Sequence, residues 1–433
     1  MKDGKSGYQE SIRHLYGLQK YGIKFGLSKT TNLLRAFEDP HKNGRYIHIA
    51  GTNGKGSVGA FVASILKKSG LKVGFYSSPH LARFTERFRI NDEEISQDEA
   101  ARLIEELQTA FAREEPPTFF EATTAMALIY FSRENTDVAV MEVGMGGRLD
   151  ATNVITPLVS GITNISMEHQ EFLGYRILDV AREKAGIIKE GVDVVTAATQ
   201  PAVIKLLEAI AGEKGARLLR VGKDIRYRTT DIGLHYSGLN RNIKGLRPGL
   251  IGRLQARNAA LALGIIECLE AKGITISSGD IREGLATTIW PGRMQVVERN
   301  PTIVVDGAHN PAAAKALADS ITTQFEYRRM ILVIGVMADK DIGKLLRAIV
   351  PLADHVIYTR PVYSRAADPQ DLMAEAEPLG KPGEIAPLIA KALTRAKELA
   401  DSRDLVVVCG SLFTVGEALA YIGPEIYKPD DPQ

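Results

Sequence analysis

The chain has 433 residues, of which 45% are apolar and 24% are charged, and its formal net charge is +2. This composition is typical of globular proteins, the length predicts two domains, and the balanced charge argues against a nucleic-acid-binding surface. Since no apolar run is long enough to span a membrane and the N-terminus has no signal-peptide core, we expect a cytoplasmic protein. Cys268 and Cys409 fit no metal-site spacing, and we expect both to be reduced and buried.

The residues from Arg45 to Ser57 predict a phosphate-binding loop. A β-rich run leads into Gly-Thr-Asn-Gly-Lys-Gly-Ser, residues 51–57, and an amphipathic helix follows until Gly70. Glycines let backbone N–H groups converge on phosphate oxygens, and a helix N-terminus adds positive potential. We expect Lys55 to reach the terminal phosphates and Ser57 to meet a bound Mg²⁺. The spacing is shorter than in the general P-loop, and a glycine-rich turn without a ligand is the alternative.

Three polar residues follow predicted strands of an α/β sheet. Ser78 follows strand 72–76, Glu142 closes a buried apolar run, and His169 follows strand 157–165. Because parallel strands end at one edge of a sheet, we expect these side chains to converge there and to hold Mg²⁺. A buried Glu142 without a cation would be costly. Taken singly, a Ser-Pro turn explains Ser78 and a structural histidine explains His169.

Two other charged positions have ordinary structural explanations. Thr118 and Glu121 precede the apolar run 125–131 and match a capping box, with Thr118 as the N-cap. Lys184 lies in the predicted helix 175–189 between other charged residues, so a solvated helix charge explains it.

Residues 218–272 predict a polar, strand-like segment followed by a long helix. Residues 218–250 are strand-like and polar, as expected for an antiparallel edge. Residues 252–272 predict a helix, and Asn258 inside it is a poor helix former that calls for an explanation. A turn that ends at Arg293 follows, and we expect a domain boundary just beyond it.

From residue 302 strands and helices alternate again. Asn310 as N-cap, followed by proline, fits the start of a helix. We predict a mostly parallel α/β domain over residues 1–295 that contains the glycine loop, and a smaller Rossmann-like α/β domain over residues 296–433.

Eight motifs occur in order along the chain: Gly-Thr-Asn-Gly-Lys-Gly-Ser57, Ser-Ser-Pro-His-Leu81, Arg-Phe-Thr-Glu-Arg87, Glu-Val-Gly-Met-Gly-Gly-Arg-Leu-Asp150, Glu-His169, Arg-Glu-Lys-Ala-Gly-Ile-Ile-Lys189, Pro-Gly-Arg293 and Asp-Gly-Ala-His-Asn-Pro311. This set resembles the folylpolyglutamate synthase/dihydrofolate synthase family, within the ATP-dependent Mur-type amide ligases. The resemblance covers nearly the whole chain. It implies that the first domain is of the Mur ligase central type.

The resemblance also implies a reaction. A substrate carboxylate attacks the γ-phosphate of ATP to give an acyl phosphate, and the amino group of L-glutamate then attacks the acyl carbon. The products are an amide, ADP and phosphate. The implied acceptors are dihydropteroate, reduced folates or both, and a bifunctional enzyme would use both. We expect a monomer that acts on these small molecules, with neither a nucleic acid nor a membrane as partner.

Roles for individual residues follow from the same resemblance. Lys184 would carry a carbamate formed from CO₂ and support a second Mg²⁺, and the pterin would contact the Gly26–Leu27 region and residues 118–121. The residues expected to be catalytic are Lys55, Lys184, His169 and Arg293. The residues expected to bind the nucleotide are Gly51, Thr52, Asn53, Gly54, Lys55, Gly56, Ser57, Asn258, Arg293, Asp306 and His309. The residues expected to bind metal are Ser57, Ser78, Glu142, His169 and Lys184.

Other functions stay open at this point. The chain could be a folylpolyglutamate synthase only, or a related Mur-type ligase for a cell-wall precursor. Those ligases usually carry an extra N-terminal domain, whereas only about 44 residues precede the first predicted strand here. A nucleotide-binding switch, from a different functional class, would need no catalytic lysine and no glutamate site. Amide formation that depends on added glutamate separates the ligase from the switch.

Overall fold

The computed structural model describes residues 4–22, 24, 26–111 and 115–430. We number its strands and helices in chain order. Helices α1 (Gly4–Gly17) and α2 (Ser28–Arg35) precede the first strand, and a break in the α-helical structure, residues 18–27, separates them. Residues 23 and 25 within that break lie outside the described residues.

Most strands of the N-terminal part belong to one sheet. They are β1 (Tyr46–Ala50), β2 (Val73–Tyr76), β3 (Phe88–Ile90), β4 (Glu93–Glu94), β5 (Val138–Glu142), β6 (Val159–Ile162), β7 (Asp193–Thr196) and β8 (Leu218–Arg220). Within the described residues the order is β4-β3-β2-β5-β1-β6-β7-β8. The strands from β2 to β8 in this order are parallel, and β3 and β4 extend one edge in the antiparallel sense.

Helices cover both faces of this sheet. They are α3 (Lys55–Lys68), α4 (Gln97–Phe111), α5 (Phe119–Arg133), α6 (Gln170–Leu173), α7 (Ile177–Ala185), α8 (Pro201–Glu213), α9 (Arg253–Glu270) and α10 (Ser278–Thr287). In β5, Val138 and Val140 join the cluster with α3, α9 and α10, whereas Ala139 and Met141 join the cluster with α4 and α5. Both faces of β5 are therefore buried, which explains its continuous apolar sequence.

The order of the strands reverses at β1, because β2 and β5 lie on one side of it and β6 to β8 lie on the other. Strand β1 lies between β5 and β6, while β2 lies beyond β5. Ile49 pairs with Glu142 and Ala50 pairs with Ile162, so the glycine loop starts between the carboxyl ends of β5 and β6. Open α/β sheets bind ligands at such a switch point.

Helices α3 and α10 approach each other closely at Gly284. A Cβ atom on Gly284 would lie 2.5 Å from the Cα and 2.8 Å from the backbone nitrogen of Ile65. The Ser64 hydroxyl also donates a hydrogen bond to the Gly284 carbonyl at 2.7 Å. The two backbones leave no room for a side chain at this position.

We therefore expect Gly284→Ala to lower the free energy of unfolding by about 1–3 kcal/mol, because the helices must move apart. Gly279→Ala in the same helix is the matched control, since a Cβ there would meet a single described atom within 4 Å, Ser277 Oγ at 3.3 Å. The control should be neutral or stabilise by up to about 1 kcal/mol. Denaturant unfolding measures both variants, and equal stabilities would contradict the close helix contact.

The polar segment between residues 218 and 250 contains a small antiparallel sheet, as predicted. Its strands are β9 (Arg226–Thr230), β10 (Gly233–Ser237) and β11 (Asn242–Leu246). Leu234, Tyr236 and Ile243 turn their side chains towards α9 and α10 and join the same apolar cluster. The opposite face of the small sheet carries the polar residues.

The C-terminal part forms a second α/β layer structure. Its strands are β12 (Gln295–Glu298), β13 (Thr302–Val305), β14 (Met330–Ile334), β15 (His355–Tyr358), β16 (Gly383–Ile385) and β17 (Leu405–Cys409), in the order β12-β13-β17-β14-β15-β16. Only β12 is antiparallel among the described strands of this sheet. Its helices are α11 (Pro311–Gln324), α12 (Ile342–Ile349), α13 (Pro369–Ala376), α14 (Ile389–Leu399) and α15 (Leu412–Ile422).

After α15 the chain returns to the N-terminal part as a strap, residues 423–430. The Asp430 carboxylate accepts hydrogen bonds from the Phe84 backbone N–H at 2.7 Å and from the Tyr8 hydroxyl at 3.2 Å. Arg83 donates to the Ile426 carbonyl at 2.7 Å. The C-terminal part is thus connected to the N-terminal part at residues 291–294 and again through this strap.

Several sequence predictions can be compared with this fold. The mostly parallel sheets and the buried, free Cys268 and Cys409 are confirmed. The division between residues 295 and 296 stays a prediction; β12 begins at Gln295. No helix within the described residues is both long and apolar enough to cross a lipid bilayer.

Candidate active site

A cleft between the two large sheets contains most of the predicted nucleotide-binding residues. It is bordered by the glycine loop, by the residues after β6 and β7, and by α9 and α11. Its volume is about 1020 Å³ including the part open to solvent. The predicted residues that line this nucleotide cleft are Asn53, Gly54, Ser57, Asn258, Arg293 and Asp306.

The glycine loop has a backbone conformation that suits glycine. Gly51 and Gly54 have φ angles of +145° and +89°, which side chains disfavour. A Cβ atom on Gly51 would also lie 1.7 Å from Thr163 Oγ1. The Lys55 ammonium donates to the carbonyls of Gly51 at 3.0 Å and Thr52 at 3.3 Å. The lysine is therefore held over the loop, at the start of α3.

A hydrogen-bonded chain links α9 to the loop and explains Asn258. Gln255 donates to the Ser57 hydroxyl at 3.3 Å, and Asn258 donates to the Gln255 side-chain oxygen at 3.0 Å. Gln255 is missing from the sequence-based predictions. Its spacing of three residues from Asn258, which places both on one helix face, is the signal that could have revealed it.

A second, smaller cleft lies beside the first and contains the acidic end of β5. Its lining includes Gly56, Ser78, Glu142, Trp290 and Arg293. The Ser78 backbone N–H donates to the Glu142 carboxylate at 3.4 Å. Burial raises the pKa of Glu142, whereas the charges of Lys55 and Arg293 lower it. Arg293 lines both clefts and so connects the nucleotide cleft with this carboxylate.

Lys184 is buried beneath the glycine loop, with its side chain only 1% exposed. Its ammonium donates to the Gly51 carbonyl at 3.0 Å and to Glu168 at 2.5 Å. Explaining Lys184 as a solvated charge is therefore wrong. Helix α7 turns Lys184 inwards with Val180 and Ala181, so the charged sequence neighbours were misleading.

The charges of this buried pair influence each other. Burial lowers the pKa of Lys184, Glu168 raises it and Lys55 lowers it. Burial raises the pKa of Glu168, but the charges of Lys184 and Lys55 lower it by more, so that the pKa of Glu168 is about 2. The carboxylate is thus ionised, while the lysine gives up its proton more readily than a solvated one.

The turn after β13 fixes Asp306 against the residues that follow Arg293. The Asp306 carboxylate accepts from the Met294 backbone N–H at 2.9 Å and from the Ala308 N–H at 2.8 Å. Burial raises its pKa, and Arg293 lowers it. His309 lies 2.8 Å from the Gly307 carbonyl through Nδ1, and burial lowers the pKa of His309 to about 4, so its ring is neutral near pH 7.

His169 lies close enough to Glu168, Lys55 and Lys184 to interact with their charges. It immediately precedes α6, is exposed, and lines neither cleft. In the described part of the chain no three histidine, cysteine, aspartate or glutamate side chains cluster as a metal site. The predicted set contains only two such side chains, Glu142 and His169, together with hydroxyls and Lys184. The structure brings Ser78 and Glu142 together but leaves His169 outside their cleft.

The predicted capping box at the start of α5 is present. Glu121 accepts from the Thr118 N–H at 2.7 Å, and Thr118 Oγ1 accepts from the Glu121 N–H at 3.2 Å. The Arg87 guanidinium lies 5.1 Å from the ring centre of Phe119 in the same turn. Contacts of this segment with a pterin stay a prediction.

Comparisons with known proteins extend over the whole site. The Mur ligase middle domain matches residues 49–266, and the Mur ligase glutamate ligase domain matches residues 292–412. The dihydrofolate synthase/folylpolyglutamate synthase of Bacillus subtilis is 32% identical, over 95% of this chain and 98% of its own length. The chain belongs to the folylpolyglutamate synthase/dihydrofolate synthase family. The fold class predicted from the family resemblance is confirmed by these matches and by the sheets described above.

Several solved structures of this family have ligands bound. Escherichia coli FolC in complex with DHPP and ADP is 34% identical, with a TM-score of 0.88, and the match covers 96% of this chain and 98% of that one. A bifunctional folylpolyglutamate synthase/dihydrofolate synthase with Mn, AMPPNP and L-glutamate bound is 32% identical, with a TM-score of 0.85 and coverages of 95% and 97%.

Not all members of the family have the length of this chain. A probable bifunctional folylpolyglutamate synthase/dihydropteroate synthase of Halobacterium salinarum is 38% identical over 95% of the chain. The chain spans about half the length of that relative, 51%.

Proposed function

We propose that the chain is an ATP-dependent ligase that joins L-glutamate to the carboxylate of a folate or of dihydropteroate. The observation that carries the proposal is the nucleotide cleft, in which the glycine loop faces Arg293 and Asp306 from the other side of the molecule. Membership of the family, whose solved structures hold nucleotide, metal and L-glutamate, supports the same conclusion.

In this proposal the nucleotide lies in the cleft with its phosphates on the loop. The N–H groups of residues 51–57 and Lys55 hold the β- and γ-phosphates, and Asn258, Asp306 and His309 contact the rest of the nucleotide. Arg293 neutralises phosphate charge from the C-terminal side. Phosphoryl transfer depends mostly on positioning and charge stabilisation, and these residues supply both.

Glu142 is the residue that best fits a divalent metal. Its carboxylate is buried, its pKa is raised by burial, and a backbone N–H at 3.4 Å satisfies it poorly. An ionised carboxylate in such a place needs a cation nearby. Ser57 and Ser78 would complete the Mg²⁺ ligands, and His169 would join them from the exposed turn before α6. When bound, Mg²⁺ neutralises negative charge on the transferred phosphoryl group.

The proposed reaction has two steps. A carboxylate oxygen of the acceptor bonds to the γ-phosphorus while the bond to the ADP oxygen breaks, and Lys55 and Arg293 stabilise the charge that spreads over the phosphoryl oxygens. The amine of L-glutamate then bonds to the acyl carbon, the bond to phosphate breaks, and the nitrogen loses a proton. Closure of the two parts around bound substrates would keep water from the acyl phosphate.

One assay tests the proposal. Purified protein is incubated with ATP, Mg²⁺ and L-glutamate, and with either dihydropteroate or tetrahydrofolate, and phosphate release and product mass are measured. We expect product from both acceptors, which corresponds to a bifunctional enzyme. Product from tetrahydrofolate alone would restrict the function to folylpolyglutamate synthase. Nucleotide binding without a glutamate-dependent product from either acceptor would contradict the ligase proposal.

We also propose that Lys184 carries a carbamate in the active enzyme. Carbamylation needs the neutral amine, which burial of Lys184 favours. The modification would replace the cation next to Glu168 with an anion able to support a second Mg²⁺.

If this is correct, Lys184→Ala should lower kcat by about 100-fold or more, and acetate or formate should restore part of it. In buffer with ¹³CO₂, a carbamate ¹³C signal should appear in the wild type and be missing from Lys184→Ala. Lys189→Ala is the control, because Lys189 belongs to the same motif but donates to the Asn153 carbonyl, at 2.9 Å. A signal unchanged in Lys184→Ala, or an active wild type without a signal, would refute the carbamate.

A further inference from the structure

Asn53 and Asn310 form a reciprocal amide pair across the nucleotide cleft. Asn310 Nδ2 donates to Asn53 Oδ1 at 2.9 Å, and Asn53 Nδ2 donates to Asn310 Oδ1 at 3.3 Å. Asn310 is only 6% exposed. The pair joins the glycine loop, which follows β1, to the residue that immediately precedes α11 in the C-terminal part.

The geometry of the pair is fixed from both sides. The Ala313 N–H donates to Asn310 Oδ1 at 2.9 Å, so the oxygen faces the helix and the Asn310 amino group faces Asn53. On the other side, the Asn53 N–H donates to Asn164 Oδ1 at 2.7 Å, and Thr163 Oγ1 donates to the Asn53 carbonyl at 2.8 Å. Asn53 is thereby held between the residues after β6 and the start of α11.

We propose that Asn310 is a positioning residue for the glycine loop. A helix cap requires only the Asn310 oxygen, whereas the Asn310 amino group serves the loop of the other part of the molecule. Through Asn53 it holds the N–H groups of residues 51–57 in the conformation that receives phosphates when the two parts are docked. Gly51 and Gly54 give the loop no side-chain packing of its own, so it depends on such outside contacts.

The pair also fixes the relative position of the two sides of the site. Arg293 and Asp306 lie at the start of the C-terminal part, and Asn310 follows Asp306 by four residues. A fixed distance between Asn310 and Asn53 therefore sets the position of these residues relative to Lys55. This role rests on the proposed function, since it presumes that both sides contact one nucleotide.

Asn310→Ser separates the positioning role from the helix cap. Serine is a good N-cap, so α11 should be retained, but its short side chain cannot reach Asn53. We expect the Kd for AMPPNP, measured by calorimetry, to rise about tenfold. Backbone hydrogen exchange should become faster in residues 51–57 and stay unchanged in residues 311–324. The control is Asp368→Ser, another N-cap exchange in the C-terminal part, where Asp368 caps the Gln370 N–H at 2.9 Å. It should change neither measurement at the loop.

A double-mutant cycle completes the test. If Asn53 and Asn310 act as one unit, Asn53→Ala, Asn310→Ser and the double variant should each weaken AMPPNP binding by about tenfold, whereas independent residues would give about 100-fold in the double variant. Unchanged loop exchange and affinity in Asn310→Ser, or additive effects, would overturn the proposal. AMPPNP affinity and hydrogen exchange are both measured without turnover, so they test the role of Asn310 independently of whether the ligase assay gives a product.

Discussion

Replacing Lys55 by alanine should reduce turnover by at least about 10²–10³-fold while the fold is retained. Among the described residues the Lys55 ammonium donates hydrogen bonds only to loop carbonyls, at 3.0 and 3.3 Å. From this position it can turn towards phosphates bound on the loop. The variant loses charge stabilisation during phosphoryl transfer. For stability, the loss of two such hydrogen bonds should cost no more than about 1–2 kcal/mol.

The measurement compares kcat and KM for ATP with the melting temperature. Lys67→Ala is the matched control, because Lys67 lies at the other end of α3 and pairs with Asp92 on the surface, at 2.9 Å. The control should keep turnover near that of the wild type. If Lys55→Ala keeps most of its activity, the assignment of the loop to the phosphates is wrong.

Glu142→Gln should produce the second large effect, a loss of the response to Mg²⁺. Glutamine has nearly the same shape and can still accept the hydrogen bond from Ser78, so the change removes mainly the negative charge. We expect turnover to fall by about 100-fold and the Mg²⁺ titration to shift to higher concentration or to disappear. Stability should be unchanged or higher, because the buried charge is removed.

Glu134→Gln provides the control for this titration. Glu134 pairs with Lys72 on the surface, at 2.9 Å, so its charge should not affect metal binding. A Mg²⁺ titration of Glu142→Gln identical to that of the wild type would give Glu142 a purely structural role. A large loss of stability in Glu142→Gln would show instead that the carboxylate supports the fold.

Local patterns in the sequence predict the elements of this fold well. The glycine loop, the apolar run of β5 and the capping box before α5 each depend on residues close together in the chain, and all are present. The order of the strands in the sheet is not predicted by such patterns, because it depends on pairings between distant segments. That β1 lies between β5 and β6 cannot be read from any single motif.

Contacts between distant parts of the chain also decide the surroundings of individual site residues. The charged neighbours of Lys184 favour a solvated helix charge, and only the family resemblance gives it a role in the site. Its burial follows from the packing of α7, which the local sequence does not show. His169 follows the end of β6 by seven positions, and its expected place beside Glu142 stays a prediction. Asn310 was predicted as a helix cap, which is confirmed, while its contact with Asn53 spans 257 positions and has no local signal.

The strap of residues 423–430 has a mechanical consequence. A rigid body attached at one point can turn in any direction, but a second attachment leaves rotation only about the line through both points. The C-terminal part is joined at residues 291–294 and held again through Asp430 to Tyr8 and Phe84, so a rotation that kept both attachments would have the line through them as its axis. Arg293 lies at one end of that line and would move little in such a rotation. A rotation that opened the nucleotide cleft would have to break the hydrogen bonds between Asn310 and Asn53.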